Sequence, residues 1–253
     1  MIYQQIRNAT VRITYAGKTF LVDPWLQDAG KGASFEIAKK QHMFVPAPVV
    51  ELPKSPQQVL TGVDLTLVTH LHSDHFTGDY LPADLLIVLQ NKADCVRAGH
   101  MGFKNTRCFD NDEWSVGDVR IHRVDGKHGD SDIVAAKCGT VSGYVFSAEN
   151  EPVVYLAGDT VFYDGVAETV RKWKPHVIIV NSCDARMPDG RLIMDADDVE
   201  QVCRISGNAV IIASHMETVT HAFLTRRQLA ERMEEAGFAE RVLIPADGEI
   251  INL

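Results

Sequence analysis

The stretch Thr69-His70-Leu71-His72-Ser73-Asp74-His75 decides how the rest of this 253-residue chain is interpreted. Four side chains that can bind metal fall within six residues and follow the pattern H-x-H-x-D-H. Residues 63–68, which precede them, are mostly apolar and β-branched, and Gly62 bounds this run upstream, so it predicts a buried strand. The metal-binding side chains therefore follow the end of a strand, where chemistry is commonly found on an α/β scaffold.

The spacing within this loop predicts two adjacent metal ions, because four ligands from six residues cannot all reach one ion with good geometry. Each ion then needs ligands from elsewhere in the chain. Three residues in suitable places are His128 between glycines, Asp159 after an apolar strand and His215 at another strand exit. Taken alone, each favours ordinary capping or turn chemistry. Because the ions bound by the 70–75 loop would need further ligands, we favour a metal-binding role for all three residues.

Composition and charge limit the class of protein. An apolar content of 45% and a charged content of 23% are typical of soluble globular proteins. The net charge of -9 argues against a nucleic-acid-binding surface, which needs clustered Lys and Arg. The five cysteines are scattered without a CxxC pair, and the first residues do not resemble a signal peptide. We expect a cytoplasmic protein without membrane insertion and without a nucleic-acid partner.

The first fifty residues predict hairpins followed by a long irregular segment. Residues 2–7, 10–15 and 18–23 favour strands, with a turn at Ala16-Gly17-Lys18. The segment 24–53 is rich in Gly, Ala and Pro and lacks periodicity. Such long loops are uncommon in compact domains. It is either a surface excursion or a lid or pocket wall.

Later elements alternate more regularly. Further strands are predicted at 63–68, 85–89, 119–124, 142–147, 152–157, 176–180 and 209–213, and helices after Ser55, from Asn91 to about Gly99, at 164–173, at 195–205 and from Thr225 to Gly237. The segment 125–139 is predicted to be a loop. Early hairpins followed by alternating strands and helices indicate a mixed α/β fold with two sheets and outer helices. No linker or repeat interrupts residues 1–253, which predicts one domain.

Together these motifs make the chain resemble the metallo-β-lactamase superfamily along nearly its whole length. The matching features are Asp23 after the strand Phe20-Leu21-Val22, the 70–75 loop, the isolated His128, the Gly158-Asp159-Thr160 turn and the strand-terminal His215. The resemblance implies a four-layer αββα sandwich. The branch that the chain resembles most contains L-ascorbate-6-phosphate lactonase and N-acylphosphatidylethanolamine phospholipase D.

The resemblance also implies a ligand set for two divalent cations. By that pattern His70, His72 and His128 would hold the first ion, Asp74, His75 and His215 the second, and Asp159 would bridge both. Ligation by nitrogen and oxygen alone suits zinc, and Mn or Fe is also compatible. Two such ions would share a water and lower its pKa towards neutrality, which yields hydroxide as the nucleophile.

Departures within the superfamily narrow the predicted reaction. His72 stands where the flavodiiron oxygen reductases usually carry Glu, and Asp159 stands where many zinc β-lactamases carry Cys. The chain also leaves little room for the added regions of the nucleases. The remaining prediction is hydrolysis of an ester, lactone or phosphodiester of a small molecule. The alternatives are a nuclease acting on RNA or DNA and a metal-stabilised binding protein without turnover.

Other residues receive less specific predictions. Asp74, Tyr163 and His221 are the catalytic candidates, and the last two could donate a proton to a leaving group or hold the substrate. Asp23 could accept the free ring N–H of a ligand histidine, or could simply form a turn before Pro24. For Lys127, Arg186 and Arg191, solvated surface is favoured over contact with an anion.

Overall fold

Two seven-stranded sheets pack face to face in the computed structural model, which describes residues 1–37, 40–109 and 111–253. The described strands are β1 (Ile2–Arg7), β2 (Thr10–Tyr15), β3 (Lys18–Val22), β4 (Ser34–Ile37), β5 (Lys40–Pro46), β6 (Leu65–Val68), β7 (Ile87–Leu89), β8 (Thr106–Cys108), β9 (Glu113–Val116), β10 (Val119–Asp125), β11 (Ser142–Ser147), β12 (Val154–Leu156), β13 (Val177–Asn181), β14 (Arg186–Met187), β15 (Gly190–Arg191), β16 (Val210–Ser214), β17 (Val242–Leu243) and β18 (Ile250–Asn252). The described α-helices are α1 (Pro56–Leu60), α2 (Lys92–His100), α3 (Asp132–Cys138), α4 (Asp164–Trp173), α5 (Ala196–Ile205) and α6 (Arg226–Glu235).

Each sheet combines antiparallel and parallel strands. The first has the order β18-β1-β2-β3-β6-β7-β8 and is parallel from β3 to β8. The second has the order β17-β16-β13-β12-β11-β10-β9 and is parallel from β12 to β17. Continuous β-branched runs such as Val177-Ile178-Ile179-Val180 suit parallel strands, because both of their faces are covered. The parallel strands of each sheet place their carboxyl ends at one edge.

Alternating side chains divide the core into layers. Ile179 of β13 joins Phe20 and Phe146 between the sheets, where these two rings meet edge to face at 5.3 Å. Its neighbours Ile178 and Val180 belong to the cluster on the other side of the second sheet, with side chains from α4, α5 and α6. A further cluster joins the outer face of the first sheet to α2. The predicted αββα sandwich is therefore confirmed.

The helix ends follow the capping signals in the sequence. Ser55 with Gln58 and Thr225 with Gln228 both form capping boxes. Helix α4 has the predicted bounds, and Asn91 is the N-cap of α2.

The helices of the described residues include none that is long and apolar enough to cross a membrane.

Two segments predicted as irregular contain regular structure. The segment 24–53 carries the paired strands β4 and β5, and residues 38 and 39 lie outside the described residues. The predicted loop 125–139 contains α3, which starts where the Ser131 hydroxyl accepts a hydrogen bond from the Val134 N–H. That prediction was wrong because this seven-residue helix buries one side chain, Val134, and so leaves no periodic pattern.

Candidate metal centre

The predicted metal ligands follow the carboxyl ends of strands from both sheets. The loop 70–75 follows β6 of the first sheet, while His128, Asp159 and His215 follow β10, β12 and β16 of the second. Glycine is required beside Asp159, because Gly158 has φ +67° and a Cβ there would lie 2.7 Å from the Ser142 carbonyl oxygen. Packing the two sheets therefore brings residues more than a hundred positions apart to one edge.

The seven predicted ligands form three overlapping groups. Within each group, one potential ligand atom from each residue lies within 4.8 Å of the others. The groups are His70, His72 and His128; His70, His75 and Asp159; and Asp74, His75 and His215. All of these residues except His72, which is half-buried, are buried. The first and third groups are the two sets that the superfamily resemblance implies.

Asp159 lies between the two sets. Its Oδ2 atom is 3.1 Å from His75 Nε2, 3.5 Å from His128 Nε2 and 3.9 Å from His215 Nε2. Its Oδ1 atom accepts a hydrogen bond of 2.7 Å from the Asn181 side-chain amide, which fixes the carboxylate plane. One carboxylate oxygen thus faces the histidines of both sets.

Outer partners orient the histidine rings. Asp23 Oδ2 lies 2.9 Å from His75 Nδ1, the contact that the sequence suggested for this carboxylate. The same carboxylate accepts hydrogen bonds from the Thr69 N–H and hydroxyl, and that hydroxyl is 3.0 Å from His70 Nδ1. Such partners set which ring nitrogen is free to bind a metal. Asp23 therefore holds two predicted ligands at once.

The remaining histidine rings contact main-chain carbonyls and a thiol. The Leu192 carbonyl is 3.0 Å from His128 Nδ1, and the Cys138 carbonyl is 3.0 Å from His72 Nε2. Cys183 Sγ is 3.5 Å from His215 Nδ1. This thiol is fully buried and burial raises its pKa, so it supports a ring and is not placed as a nucleophile.

Charge is concentrated in this centre. Burial alone would lower the pKa of His75, but the Asp159 and Asp23 carboxylates outweigh it and raise the pKa to about 10. Burial would raise the pKa of Asp159, yet the His75 and His215 rings hold it well below its usual range. Burial and the neighbouring His75 lower the pKa of His70. The histidines and carboxylates thus compensate one another in a buried site.

The side chains fit divalent cations. His70 Nε2 is buried and has no hydrogen-bond partner among the described residues. His72 Nδ1 and His128 Nε2 face each other at 3.3 Å. The other nitrogen of each ring contacts a main-chain carbonyl, which can only accept, so the two facing nitrogens are the ones with free lone pairs. Ring nitrogens that converge with free lone pairs are the arrangement that a cation satisfies.

A cavity of about 600 Å³ opens above this cluster. Its described lining consists of Ser34, Phe35, Glu36, Phe44, His72, Ser73, Asp74, His128, Lys137, Cys138, Asp159, Ala185, Arg186, Met187, Pro188, Asp189, Leu192, His215 and His221. Both small hairpins, β4–β5 and β14–β15, contribute to its wall. The segment 24–53 is therefore a pocket wall, one of the two alternatives that its sequence left open.

The other predicted site residues have different surroundings. His221 is in the cavity wall, stacked on Phe35 with ring centroids 4.7 Å apart. The Tyr163 hydroxyl donates to the Asp125 carbonyl at 2.7 Å, and Tyr163 is not among the described lining residues. Lys127 and Arg191 are paired with aspartates on other elements. Of the two proton-donor candidates, the structure brings only His221 to the cavity.

Three polar residues at the centre are not among the predicted site residues. Thr69 and Asn181 hold ligands as described above, and Asn8 contacts both Asp74 and His215. Thr69 follows the end of β6 and Asn181 is the last residue of β13, but a position at a strand end is only a weak indication of a site residue. Asn8 lies in the β1–β2 turn, where Asn indicates only turn geometry.

Comparison with known proteins finds relatives that match most of the chain. The family model described as "Beta-lactamase superfamily domain" matches residues 18–216. The chain is 39% identical over 249 residues to UPF0173 protein YddR of Bacillus subtilis (strain 168), covering 97% of each chain. It is 28% identical over 184 residues to a UPF0173 metal-dependent hydrolase of Thermodesulfovibrio yellowstonii, covering 65% of this chain and 61% of the relative.

Two solved structures superpose along the whole chain. An isothiocyanate hydrolase from Delia radicum gut bacteria has a TM-score of 0.93 and 33% identity, covering 100% of this chain and 99% of that one. A possible metal-dependent hydrolase from Veillonella parvula has a TM-score of 0.93 and 31% identity, with the same coverage. These similarities extend over both sheets and the candidate metal centre.

Proposed function

Because the chain belongs to the UPF0173 metal-dependent hydrolase family of the metallo-β-lactamase superfamily, we propose that it binds two divalent metal ions and hydrolyses a small neutral molecule at an electrophilic carbon. The observation that carries the proposal is the position of Asp159, whose Oδ2 faces histidines of both predicted sets. The substrate would occupy the cavity above that carboxylate.

The proposed ligands are those implied by the superfamily pattern. His70, His72 and His128 would hold one ion, Asp74, His75 and His215 the other, and Asp159 would contact both. We propose zinc, because the ligand set offers imidazole and carboxylate without thiolate. Bound metal of this kind activates water as a nucleophile and polarises the oxygen or sulfur of the substrate.

The charges of the cavity wall favour a neutral substrate. Lys137 is paired with Asp189, and Arg186 is paired with Asp184 through two hydrogen bonds of 2.8 and 2.9 Å. Each cation that lines the described cavity therefore already has a carboxylate partner. A phosphate group would find no unpaired cationic side chain in the described wall and would depend on the proposed metal ions alone, so we favour a neutral substrate over the phosphodiester.

The apolar part of the wall favours a substrate with an apolar side group. Phe35, Phe44, Met187, Pro188 and Leu192 line the cavity together with the proposed metal ligands. Esters, lactones and isothiocyanates can all present an electrophilic carbon next to such a group. The solved relative named as an isothiocyanate hydrolase supports including that class. Membership of the branch that contains L-ascorbate-6-phosphate lactonase and N-acylphosphatidylethanolamine phospholipase D stays a prediction and does not enter the proposed substrate class.

The proposal is tested by metal analysis combined with a substrate panel. We expect two equivalents of zinc per chain, turnover of an aryl ester, a lactone or an aryl isothiocyanate, and loss of that activity on chelation with recovery on zinc addition. The control is bis(p-nitrophenyl) phosphate. A kcat/KM for this phosphodiester tenfold above all neutral substrates would contradict the proposed substrate class. One equivalent of metal at full activity would contradict the two-metal centre.

His221 is proposed to hold the substrate as a neutral ring. Its Nδ1 is buried without a hydrogen-bond partner among the described residues, and burial lowers its pKa to about 4. A ring with that pKa is uncharged above about pH 5, so it can form a hydrogen bond without changing its charge near neutrality.

Replacing His221 with Asn should therefore lower kcat/KM by about tenfold or less, the value of one neutral hydrogen bond. The profile of kcat/KM against pH should keep its shape between pH 5 and 8, because the lost ring does not titrate there. His100→Asn, on the exposed end of α2, is the matched control. A variant that lost an alkaline limb near pH 6.5, on which wild-type activity falls as the pH rises, would show instead that His221 acts as a proton donor.

A further inference from the structure

We propose that Asn8 is a positioning residue for the second metal set, Asp74, His75 and His215. Nothing in the family pattern or in the ligand prediction involves this residue. The inference rests on the proposed two-metal centre and concerns how one half of it is held together.

The side chain of Asn8 joins two loops that carry ligands of this set. Its Nδ2 atom donates to the main-chain carbonyl of Asp74 at 2.9 Å. The same atom lies 3.1 Å from His215 Nε2, the ring nitrogen that faces Asp74 and Asp159, so a bound cation would take the lone pair of that nitrogen and leave the Asp74 carbonyl as the acceptor of the amide. Because a carbonyl can only accept, this contact fixes the amide with Nδ2 facing both ligands. Asp74 and His215 come from different sheets, and Asn8 comes from a third segment, the β1–β2 turn.

The main chain of Asn8 is anchored on the same side. Its carbonyl oxygen accepts three hydrogen bonds, from the His215 N–H at 3.0 Å, the Ser214 hydroxyl at 3.0 Å and the Gln5 side-chain amide at 2.7 Å. The residue is fully buried. The amide therefore starts from a fixed point next to His215 and cannot move without breaking these bonds.

Two features of Asn8 are unfavourable for stability and are explained by this role. Its φ of +54° lies in the left-handed region, which Asn tolerates better than most residues. Its Oδ1 atom is buried without a hydrogen-bond partner among the described residues. Unpaired buried acceptors and strained backbone tend to occur where a site, and not overall stability, fixes the residue.

The described hydrogen bonds of Asn8 involve none of the first set, His70, His72 and His128. Loss of the amide should therefore loosen the second set alone. Outer partners of metal ligands typically change affinity by about 10- to 100-fold. The structure thus assigns to Asn8 a selective effect that a general loss of stability would not produce.

The test is zinc binding to the metal-free full-length chain in competition with a chromophoric chelator. Asn8→Gly removes the amide, keeps the main-chain carbonyl and tolerates the positive φ. We expect the zinc affinity of the second set to fall by about 10- to 100-fold, while the zinc affinity of the first set changes less than threefold. Asn150→Gly is the matched control, since Asn150 also has a positive φ of 60° but lies in an exposed turn.

Cobalt substitution assigns the change to a site, because its visible spectrum reports the geometry around each ion. We expect the bands of the site lost on His215→Ala to be the bands altered by Asn8→Gly. Equal weakening of both sites, or unchanged affinity at both, would overturn the role of Asn8. Asn8→Ser, whose side chain is too short to reach the Asp74 carbonyl, replaces the glycine variant if that variant does not fold. A wild-type chain that binds one ion would instead contradict the two-metal centre itself.

Discussion

Replacing Asp159 with Ala should remove metal from the protein and reduce kcat/KM by about a thousandfold or more, since several kcal/mol of electrostatic stabilisation are lost. Asp159 Oδ2 is within 3.9 Å of ring nitrogens from both proposed metal sets. Without this carboxylate, the buried imidazoles remain but the negative charge that would offset a bound metal ion is lost. We expect fewer than two equivalents of zinc by elemental analysis after dialysis, together with the loss of turnover.

Asp164→Ala is the matched control for this variant. Asp164 is only five residues away, at the exposed start of α4, and should keep metal content and activity within about twofold of the wild type. Melting curves of both metal-free variants separate a binding defect from unfolding. An Asp159→Ala protein that kept both metals and full turnover would refute the proposed centre.

Replacing Arg7 with Met should lower the free energy of unfolding by about 3 kcal/mol, because one buried and two partly buried carbonyls lose a charged donor. Arg7 is fully buried and donates to the carbonyls of Trp25 at 2.9 Å, Gln27 at 2.8 Å and Val50 at 3.0 Å. Its guanidinium also lies over the Trp25 ring at 5.4 Å. Burial lowers its pKa to about 10, so it stays charged at neutral pH.

The measurement is thermal unfolding at a fixed zinc concentration, since bound metal itself shifts the melting temperature. A loss of this size corresponds to a fall in Tm of about 10 °C in a chain of this length. Arg12→Met is the matched control: Arg12 also donates to a carbonyl, that of Thr61 at 2.9 Å, but remains partly exposed. It should lower Tm by no more than about 3 °C. Equal falls in Tm for the two variants would show that the burial of Arg7 does not increase its contribution to stability.

The layered fold was predictable because each core strand carries its signal within a few residues. Runs such as Val177-Ile178-Ile179-Val180 are apolar on both faces, and Ser55 and Thr225 mark helix starts through their own capping bonds. The predicted bounds differ from the observed ones by a residue or two, as for the strand predicted at 63–68 and observed at Leu65–Val68. Local sequence determines these elements.

The grouping of the predicted ligands was also predictable, for a reason of topology. His128, Asp159 and His215 each follow a strand, and parallel strands present their carboxyl ends at one edge. The 70–75 loop then needs only the packing of the two sheets to meet them. Their roles as ligands stay a proposal until metal is measured.

The elements that the sequence did not reveal depend on tertiary contacts. Asn8 and Arg7 act through carbonyls of segments far away in the chain, and neither is part of a recognisable local motif. The hairpin β4–β5 pairs with itself and has the exposed residues Met43 and Phe44, so it lacks the apolar alternation of a core strand. Tyr163 is close to Asp159 in sequence, but its hydroxyl donates to the Asp125 carbonyl.

The two wall hairpins have a consequence for how such an enzyme can diversify. Strands β4–β5 and β14–β15 form two-stranded sheets of their own and belong to neither seven-stranded sheet. A change in their length or sequence leaves the hydrogen-bonded ladders of both large sheets unaltered. We therefore expect selection to exchange this part of the cavity wall while descendants inherit the two sheets that carry the proposed metal centre. We expect enzymes of this lineage to differ from one another chiefly at residues 34–46 and 186–191.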